Sequence, residues 1–342
     1  MAFLAAEKIY ECREQVSSLL GVPDPGNVIF TLNTTYALNL LIKGILQRGD
    51  HVLISDLEHN SVFRPVYRLA QEGIVEYDTF PSLCLLPGRT AEDICKAIAV
   101  RIRPNTRLLV CTHASNICSA TLPLREIGEL CHKHGIFFAV DAAQSAGHIP
   151  IDMKEIGIDA LCAPGHKGLC GIQGAGILAL ASRAPISTLV EGGNGMFSLE
   201  GTMPEELPER FEAGTPPTPA IAGLCEGIRF LRKQGIEAIA EHEHRLYTRL
   251  YDRLSDIKGI RLLPPHIPGA IFLFTRDGHT SENIARQLAE DGICVRGGHH
   301  CTALGHKTLG TPSDGAVRVS FGYSTTTSDL DALWRSLKNS ES

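Results

Sequence analysis

Short apolar runs alternate with helical patterns along most of this chain. The runs are rich in β-forming residues, and the segments between the earlier ones carry apolar residues at helical spacing and mostly end at glycine. The runs are VIFT, HVLIS, IVEYDTF, RLLVCTH, IFFAVDAA, IDALCA and GILAL. Strands that alternate with helices form a mainly parallel sheet with helices on both faces, so the pattern predicts an α/β fold.

The C-terminal part of the chain is predicted to form a smaller domain. A loop rich in glycine, proline and glutamate, about residues 191–219, precedes a long helical pattern that starts near Ile221. AIFLFT, a helix near residues 281–292, ICVR and VRVSFGY then follow, which is an α+β alternation. We therefore predict a large domain over residues 1–220 and a small α+β domain over residues 221–342.

The composition favours a small-molecule partner over nucleic acid or a membrane. The formal net charge is -6 without a basic run, which argues against a nucleic-acid or anionic-membrane surface. No stretch approaches the roughly 20 apolar residues of a membrane span. The eleven cysteines include no CxxC pair, so neither a disulfide framework nor a zinc ribbon is indicated. We expect a cytoplasmic protein in which Cys111, Cys131, Cys162 and Cys294 belong to the core.

Polar residues follow five of the predicted strands. In open parallel sheets, ligands bind beyond the carboxyl ends of the strands, so these residues are predicted to meet at one site. They are Asn33, Thr34, Thr35, Glu58, His59, Ser115, Asn116, Asp141, Gln144, His166 and Lys167.

Two of these residues suggest a particular cofactor. Asp141 ends an apolar run, where a carboxylate is costly unless a cation meets it, and a pyridinium nitrogen is such a cation. Lys167 stands in a glycine-flanked loop, CAPGHKGLCGIQGAG, where a lysine can form a Schiff base. An aspartate and a lysine in these roles are what pyridoxal phosphate (PLP) requires. The two residues alone are equally compatible with a capped turn and a solvated lysine.

A thiol stands beside several potential positive charges in RGGHHC, residues 296–301. If they point inward, Arg296, His299 and His300 favour the thiolate form of Cys301. The alternatives are a plain loop or a zinc site, although adjacent histidines cannot easily both ligate one ion together with the cysteine. The motif therefore predicts a reactive cysteine.

The strand-end polar groups, D-x-x-Q, G-H-K and R-x-G-H-H-C together resemble the class V aminotransferase family of fold-type I PLP enzymes. Within it, the chain is most similar to group II cysteine desulfurases and selenocysteine lyases, from about residue 5 to about residue 335. The resemblance implies the PLP-dependent transferase fold type I, PLP as cofactor and a homodimer. It also implies conversion of L-cysteine to L-alanine, with a persulfide on Cys301 that passes to a sulfur-acceptor protein, as in iron–sulfur cluster assembly.

The resemblance assigns residues to the cofactor ring. Lys167 would join the aldehyde carbon and later move the α-proton, and Asp141 would pair with the pyridine nitrogen. His59 would stack on the ring and exchange protons, although it can also be read as a histidine at the start of a helix. Asn116 and Gln144 match residues near the ring hydroxyl.

The resemblance also assigns residues to the cofactor phosphate. Thr34 and Thr35 would hold it at the start of the following helix, with help from His166. Thr215, in RFEAGTPPTP, matches a threonine that reaches the phosphate of the partner subunit. Pro164 stands where desulfurases often carry a phosphate-binding serine, so one hydrogen bond is expected to be missing.

Two arginines are matched to the substrate. Arg318, in AVRVSFGYSTT, would grip its carboxylate, and Arg296 would lie nearby. The sequence does not choose between L-cysteine and L-selenocysteine. Two other functions stay open: another class V reaction (transamination, epimerisation or a lyase step), and a non-catalytic PLP-fold protein lacking the N-terminal segment of its relatives.

Overall fold

A computed structural model describes residues 2–339 of the chain. The strands are β1 (Val28–Thr31), β2 (Asp50–Ser55), β3 (Val75–Phe80), β4 (Thr106–Thr112), β5 (Phe137–Asp141), β6 (Ala160–Pro164), β7 (Gly176–Leu180), β8 (Ile260–Leu262), β9 (Ile271–Arg276) and β10 (Val317–Ser320). The helices are α1 (Ala2–Leu20), α2 (Thr34–Ile45), α3 (Asn60–Gln71), α4 (Ala91–Ala99), α5 (Leu124–Lys133), α6 (Met153–Ile156), α7 (Thr218–Gln234), α8 (Ile236–Ser255), α9 (Ser281–Glu290), α10 (Ala303–Leu309) and α11 (Thr327–Asn339).

The described residues fold into two compact units. The first consists of residues up to Ser82, Arg89–His113 and Leu122–Ile236, and the second consists of Leu83–Gly88, Ala114–Thr121 and residues from Glu237 on. The domain division predicted at residue 220 stays a prediction. No helix in residues 2–339 has the length and apolar character needed to cross a membrane.

A seven-stranded sheet forms the centre of the first unit, in the order β1-β7-β6-β5-β4-β2-β3. The strands from β6 to β3 in this order pair in parallel, whereas β7 is antiparallel to both β1 and β6. Residues of β1, β6 and β7 are buried throughout, which explains their continuous apolar sequences. The predicted α/β fold with a mainly parallel sheet is therefore confirmed.

The second unit contains an antiparallel sheet of three strands, in the order β10-β9-β8. Its core joins side chains of this sheet to α8, α9 and α11. The expectation of a strand at ICVR is wrong. Ile293 and Val295 pack on the core from an irregular segment, and only Arg296 forms a bridge, with Arg318. A four-residue apolar run fits such a segment as well as a strand.

Candidate active site

The carboxylate of Asp141 lies at the end of β5 and is 2% exposed. Its Oδ1 atom accepts a hydrogen bond from the Ala143 amide at 2.9 Å. Burial raises the pKa of Asp141, while the Ala143 amide and the positive charge of Lys167 act in the opposite direction. Because a buried carboxylate is costly on its own, this position suits a cationic partner such as a protonated ring nitrogen.

Two glycines bring the turn after β5 against the turn that carries Lys167. A Cβ atom on Gly147, whose φ is +87°, would lie 2.1 Å from the carbonyl oxygen of Gly168. A Cβ atom on Gly168 would lie 2.3 Å from the carbonyl oxygen of Ala146. No side chain fits at these distances, so the two turns pack backbone to backbone. His166 and Lys167 are exposed in the second turn, and partial burial together with Lys167 lowers the pKa of His166.

The first turn of α2 offers groups that fit a phosphate. Asn33 caps the helix, and its Oδ1 atom accepts a hydrogen bond from the Tyr36 amide at 2.9 Å. Thr34 Oγ1 is buried and has no hydrogen-bond partner within residues 2–339, while Thr35 is exposed. A buried hydroxyl without a partner at a helix N-terminus suits an anionic oxygen, so the residues present fit the phosphate of PLP.

His59 both follows β2 and begins a helix. It is the N-cap of α3, where its Nδ1 atom accepts a hydrogen bond from the Ser61 amide at 3.1 Å. Ser61 Oγ also lies 2.7 Å from Nδ1. An accepting Nδ1 places the ring proton of a neutral imidazole on Nε2. The cap therefore fixes the ring and its tautomer. His59 is thus a histidine at the start of a helix, and this position is compatible with the predicted stacking on the cofactor ring.

Glu58 is a buried acid, and the strand-end pattern placed it at the predicted site without a chemical role. It is fully buried after β2, and its Oε1 atom accepts hydrogen bonds from Ser55 Oγ and, at 2.8 Å, from the Thr112 amide. Its Oε2 atom has no partner within the described chain. Burial, assisted by the charge of Asp141, raises the pKa of Glu58 to about 8. At neutral pH this carboxyl is therefore mainly protonated.

Replacing Glu58 with glutamine is expected to flatten the pH dependence of the free energy of unfolding. The folded chain keeps Glu58 protonated up to about pH 8, whereas the unfolded carboxyl ionises near 4.5. Stability from this group is complete below about pH 4.5 and is lost as the pH rises through about 8. At about 1.4 kcal/mol per tenfold change in proton affinity, the loss is on the order of a few kcal/mol. Glutamine stays neutral at every pH, so the Glu58→Gln variant does not show this loss of stability.

Urea unfolding at about pH 6.5 and about pH 8.5 measures this difference. The buried His113, whose pKa burial lowers to about 4, contributes equally to the wild type and to Glu58→Gln, so its effect cancels in their difference. Glu129, which is exposed on α5, provides the matched control: Glu129→Gln should follow the wild type. Parallel losses of stability in the wild type and in Glu58→Gln would contradict a protonated Glu58.

Cys301 lies in a constrained loop of the second unit. Its side chain is exposed, and both it and His300 have left-handed backbone angles, with φ values of 56° and 51°. Asn116 holds the loop from both sides, because its Nδ2 atom donates to the His300 carbonyl at 2.9 Å and its Oδ1 atom accepts from Thr302 Oγ1 at 2.6 Å. Each left-handed residue costs about 1–3 kcal/mol, so these bonds maintain an unfavourable conformation.

Arg318 is the charged neighbour of Cys301 in this unit. It is half-buried, and one of its terminal nitrogens donates to the Asn116 carbonyl at 3.2 Å. Its Nε atom is buried without a hydrogen-bond partner in the described chain. Burial and Arg296 lower the pKa of Arg318, and Cys301 raises it. An arginine nevertheless stays charged at neutral pH, so a fixed positive charge lies beside Cys301.

His300 does not supply the positive charge that the sequence suggested. It is buried, and its pKa is lowered to about 4, first by burial and then by the charges of Arg318, Arg296 and His299. The ring is therefore neutral at neutral pH. Arg296 and His299 are exposed.

The predicted site residues fall into both units. The first unit contains Lys167, Asp141, His59, Gln144, His166, Thr34, Thr35 and Thr215, and the second contains Cys301, Asn116, Arg296 and Arg318. Gln144 is half-buried after β5. Thr215 is exposed and lines a cavity of about 390 Å³ together with Leu32 and Tyr36. The expectation that Cys294 belongs to the core is wrong, because it is exposed.

Comparison with known proteins defines the class of protein. The family model Aminotransferase class-V matches residues 1–333, so the chain belongs to this family. It is 32% identical to a probable cysteine desulfurase of Mycolicibacterium paratuberculosis, covering 99% of this chain but only 50% of that relative. It is also 32% identical to a probable cysteine desulfurase of Methanothermobacter thermautotrophicus, over 98% of this chain and 84% of the relative.

A solved structure supports the same assignment. The apo cysteine desulfurase of Thermococcus onnurineus is similar with a TM-score of 0.87 and 29% identity, over 98% of this chain and 84% of the other. The predicted family and the predicted fold type I are therefore confirmed. Enzymes of this family depend on PLP, so the predicted cofactor is confirmed as well.

Proposed function

We propose that this chain is a PLP-dependent cysteine desulfurase that converts L-cysteine to L-alanine and carries the sulfur as a persulfide on Cys301. The function predicted from the sequence agrees with the names of the relatives. The observation that carries the proposal is the exposed thiol of Cys301, held in a left-handed loop beside the charged Arg318. Such a thiol is accessible to a substrate or a sulfur acceptor, and a fixed positive charge lies beside it.

The first unit would bind the cofactor. The first turn of α2, with Thr34, Thr35 and the nearby turn of His166, would hold the phosphate, and Asp141 would hold the ring nitrogen. Bound PLP supplies an electron-withdrawing ring that stabilises negative charge at the substrate α-carbon. Lys167 Nζ would then accept the α-proton. His59, whose cap hydrogen bond leaves the ring proton on Nε2, would stack on the ring and supply that proton as a donor.

The second unit would receive the sulfur. The Cys301 thiolate would attack the sulfur of the substrate cysteine, the carbon–sulfur bond would break, and the remaining carbon skeleton would take up a proton and leave as alanine. One persulfide, Cys301–S–SH, would form for each alanine released. Arg318 would bind the substrate carboxylate, with Arg296 nearby, because a planar guanidinium matches a carboxylate in two hydrogen bonds.

Incubation of the purified protein with L-cysteine tests the proposal. Alanine is measured by mass spectrometry, and the persulfide by intact mass before and after a reductant. We expect about one alanine per chain without a reductant, and continuous turnover when the reductant removes the sulfur. A protein that forms pyruvate or a keto acid, and no alanine, would instead carry out another class V reaction. A parallel assay with L-selenocysteine identifies the preferred substrate.

The assembly and location of the protein form part of the same proposal. We place it in the cytoplasm because all eleven cysteines are free, as is typical of a reducing compartment. We propose a homodimer in which Thr215 reaches the partner's cofactor phosphate. Exposed Leu32 and Val190 share the cavity wall with Thr215, which suits a surface covered by another chain. A sulfur-acceptor protein would then take the persulfide sulfur.

A further inference from the structure

A chain of hydrogen bonds connects four residues of the second unit around the Cys301 loop. His300 Nε2 lies 3.0 Å from the Arg296 carbonyl oxygen, and His300 Nδ1 lies 3.0 Å from His306 Nε2. His306 Nδ1 in turn lies 2.8 Å from Thr311 Oγ1. The two imidazole planes differ by only 18° and their centroids lie 5.2 Å apart, as expected for rings joined edge to edge by an N–H···N bond.

The chemistry of these atoms fixes the direction of every bond. A carbonyl oxygen only accepts, so His300 Nε2 carries the proton that faces Arg296. Both imidazoles are neutral at neutral pH, because burial lowers the pKa of each ring to about 4. His300 Nδ1 is therefore an acceptor and His306 Nε2–H its donor, so His306 Nδ1 accepts from Thr311 Oγ1–H, which also lies 3.3 Å from the His306 carbonyl oxygen. Each ring thus has one tautomer.

We propose that His306 is a positioning residue for the sulfur acceptor Cys301. It acts through His300, whose ring it holds, and it also has a hydrogen bond with the His299 backbone. His299 and His300 directly precede the thiol in the chain. His300 is fixed a second time by the Asn116 amide at its carbonyl. The proposal rests on the role proposed above for Cys301. It explains why two consecutive non-glycine residues keep left-handed angles, which occurs only where the surroundings determine them.

Nearby charged groups oppose the protonation of His300 and His306 at low pH. Arg296, Arg318 and His299 all act on His300, and His299 and His300 act on His306. A proton on His300 Nδ1 would place two N–H groups opposite each other and add charge near Arg296 and Arg318. A proton on His306 Nδ1 would instead require Thr311 Oγ1 to accept and would add charge beside His300. The loop is therefore expected to lose order as the pH falls from about 6.5, the ordinary pKa of histidine, towards about 4.

Two substitutions of His306 distinguish the effect of its hydrogen bond to His300 from the effect of side-chain packing. In His306→Gln, the amide nitrogen of glutamine can occupy the place of Nε2 and donate to His300. In His306→Leu, a side chain of similar size has no donor. Hydrogen exchange of the Thr302 amide, which donates to the His299 carbonyl at 3.0 Å, reports on the order of the loop in the purified holoenzyme.

We expect exchange of the Thr302 amide to be about tenfold faster in His306→Leu and within about twofold of the wild type in His306→Gln. The kcat for alanine formation should fall by about the same factor in His306→Leu with little change in KM, since fewer molecules hold the thiol in place. His279→Leu, at an exposed histidine of the same unit, serves as the control and should match the wild type.

Equal exchange in His306→Leu and the wild type, or equally fast exchange in both His306 variants, would overturn the proposal. If His306→Leu does not fold, Thr311→Val can be used instead, because it removes the donor to His306 Nδ1. Unchanged exchange of the Thr302 amide in Thr311→Val would also overturn the proposal. A wild type that forms no alanine would contradict the desulfurase function, while the exchange data would still decide the role of His306.

Discussion

Replacement of Lys167 with alanine is expected to lower alanine formation from L-cysteine by at least about a hundredfold. The absorbance band of bound PLP near the visible edge should also be lost. Lys167 lies in the turn after β6, close enough to the buried Asp141 to affect its pKa. A single amine would thus attach the cofactor and move the α-proton, so its loss removes two functions together.

A second variant separates the charge of Lys167 from its amine chemistry. Lys167→Arg keeps a positive charge beside Asp141, but a guanidinium that is always protonated cannot serve as a nucleophile or a base. We therefore expect Lys167→Arg to be as inactive as Lys167→Ala. Lys154→Ala, at an exposed lysine of α6 in the same unit, should remain fully active. More than about a tenth of wild-type activity in Lys167→Arg would assign the α-proton to another base.

The sequence was sufficient to predict the central sheet and the strand-end location of several polar groups. Continuous apolar runs that alternate with amphipathic segments leave few arrangements other than parallel strands covered by helices. Asp141 accordingly ends β5, and His59 follows β2 at the start of α3. These placements depend on local sequence and on one general rule about parallel sheets, and both can be applied without coordinates.

The contacts that give these residues their chemistry were not predictable, because their partners are distant in the sequence. Glu58 is held by Thr112, 54 residues away, and its burial keeps it protonated although the Thr112 amide acts in the opposite direction. Asn116 holds His300 across 184 residues. A motif such as RGGHHC suggests positive charge, but only burial and pairing show that His300 is neutral.

Replacement of Cys301 with alanine is expected to abolish the persulfide and to lower alanine formation by at least about a hundredfold. The physical reason is that no other described residue of the motif can attack the substrate sulfur as a thiolate. The PLP absorbance band should persist, because Cys301 has no proposed part in cofactor binding. The measurements are alanine, persulfide mass and absorbance on the same sample.

Two other exposed cysteines make this test specific. Cys294 lies in the same unit as Cys301, and Cys170 lies three residues after Lys167 in the first unit. If exposure alone determined sulfur transfer, Cys294→Ala or Cys170→Ala would lower alanine formation as Cys301→Ala does. We expect both to match the wild type. Cys170 is also exposed and left-handed, with a φ of 56°, so the features that single out Cys301 are the adjacent charge of Arg318 and the two Asn116 hydrogen bonds that hold its loop. Persulfide on Cys294 or Cys170 in the Cys301→Ala variant, with alanine formation retained, would identify that thiol as the acceptor and leave RGGHHC a structural loop.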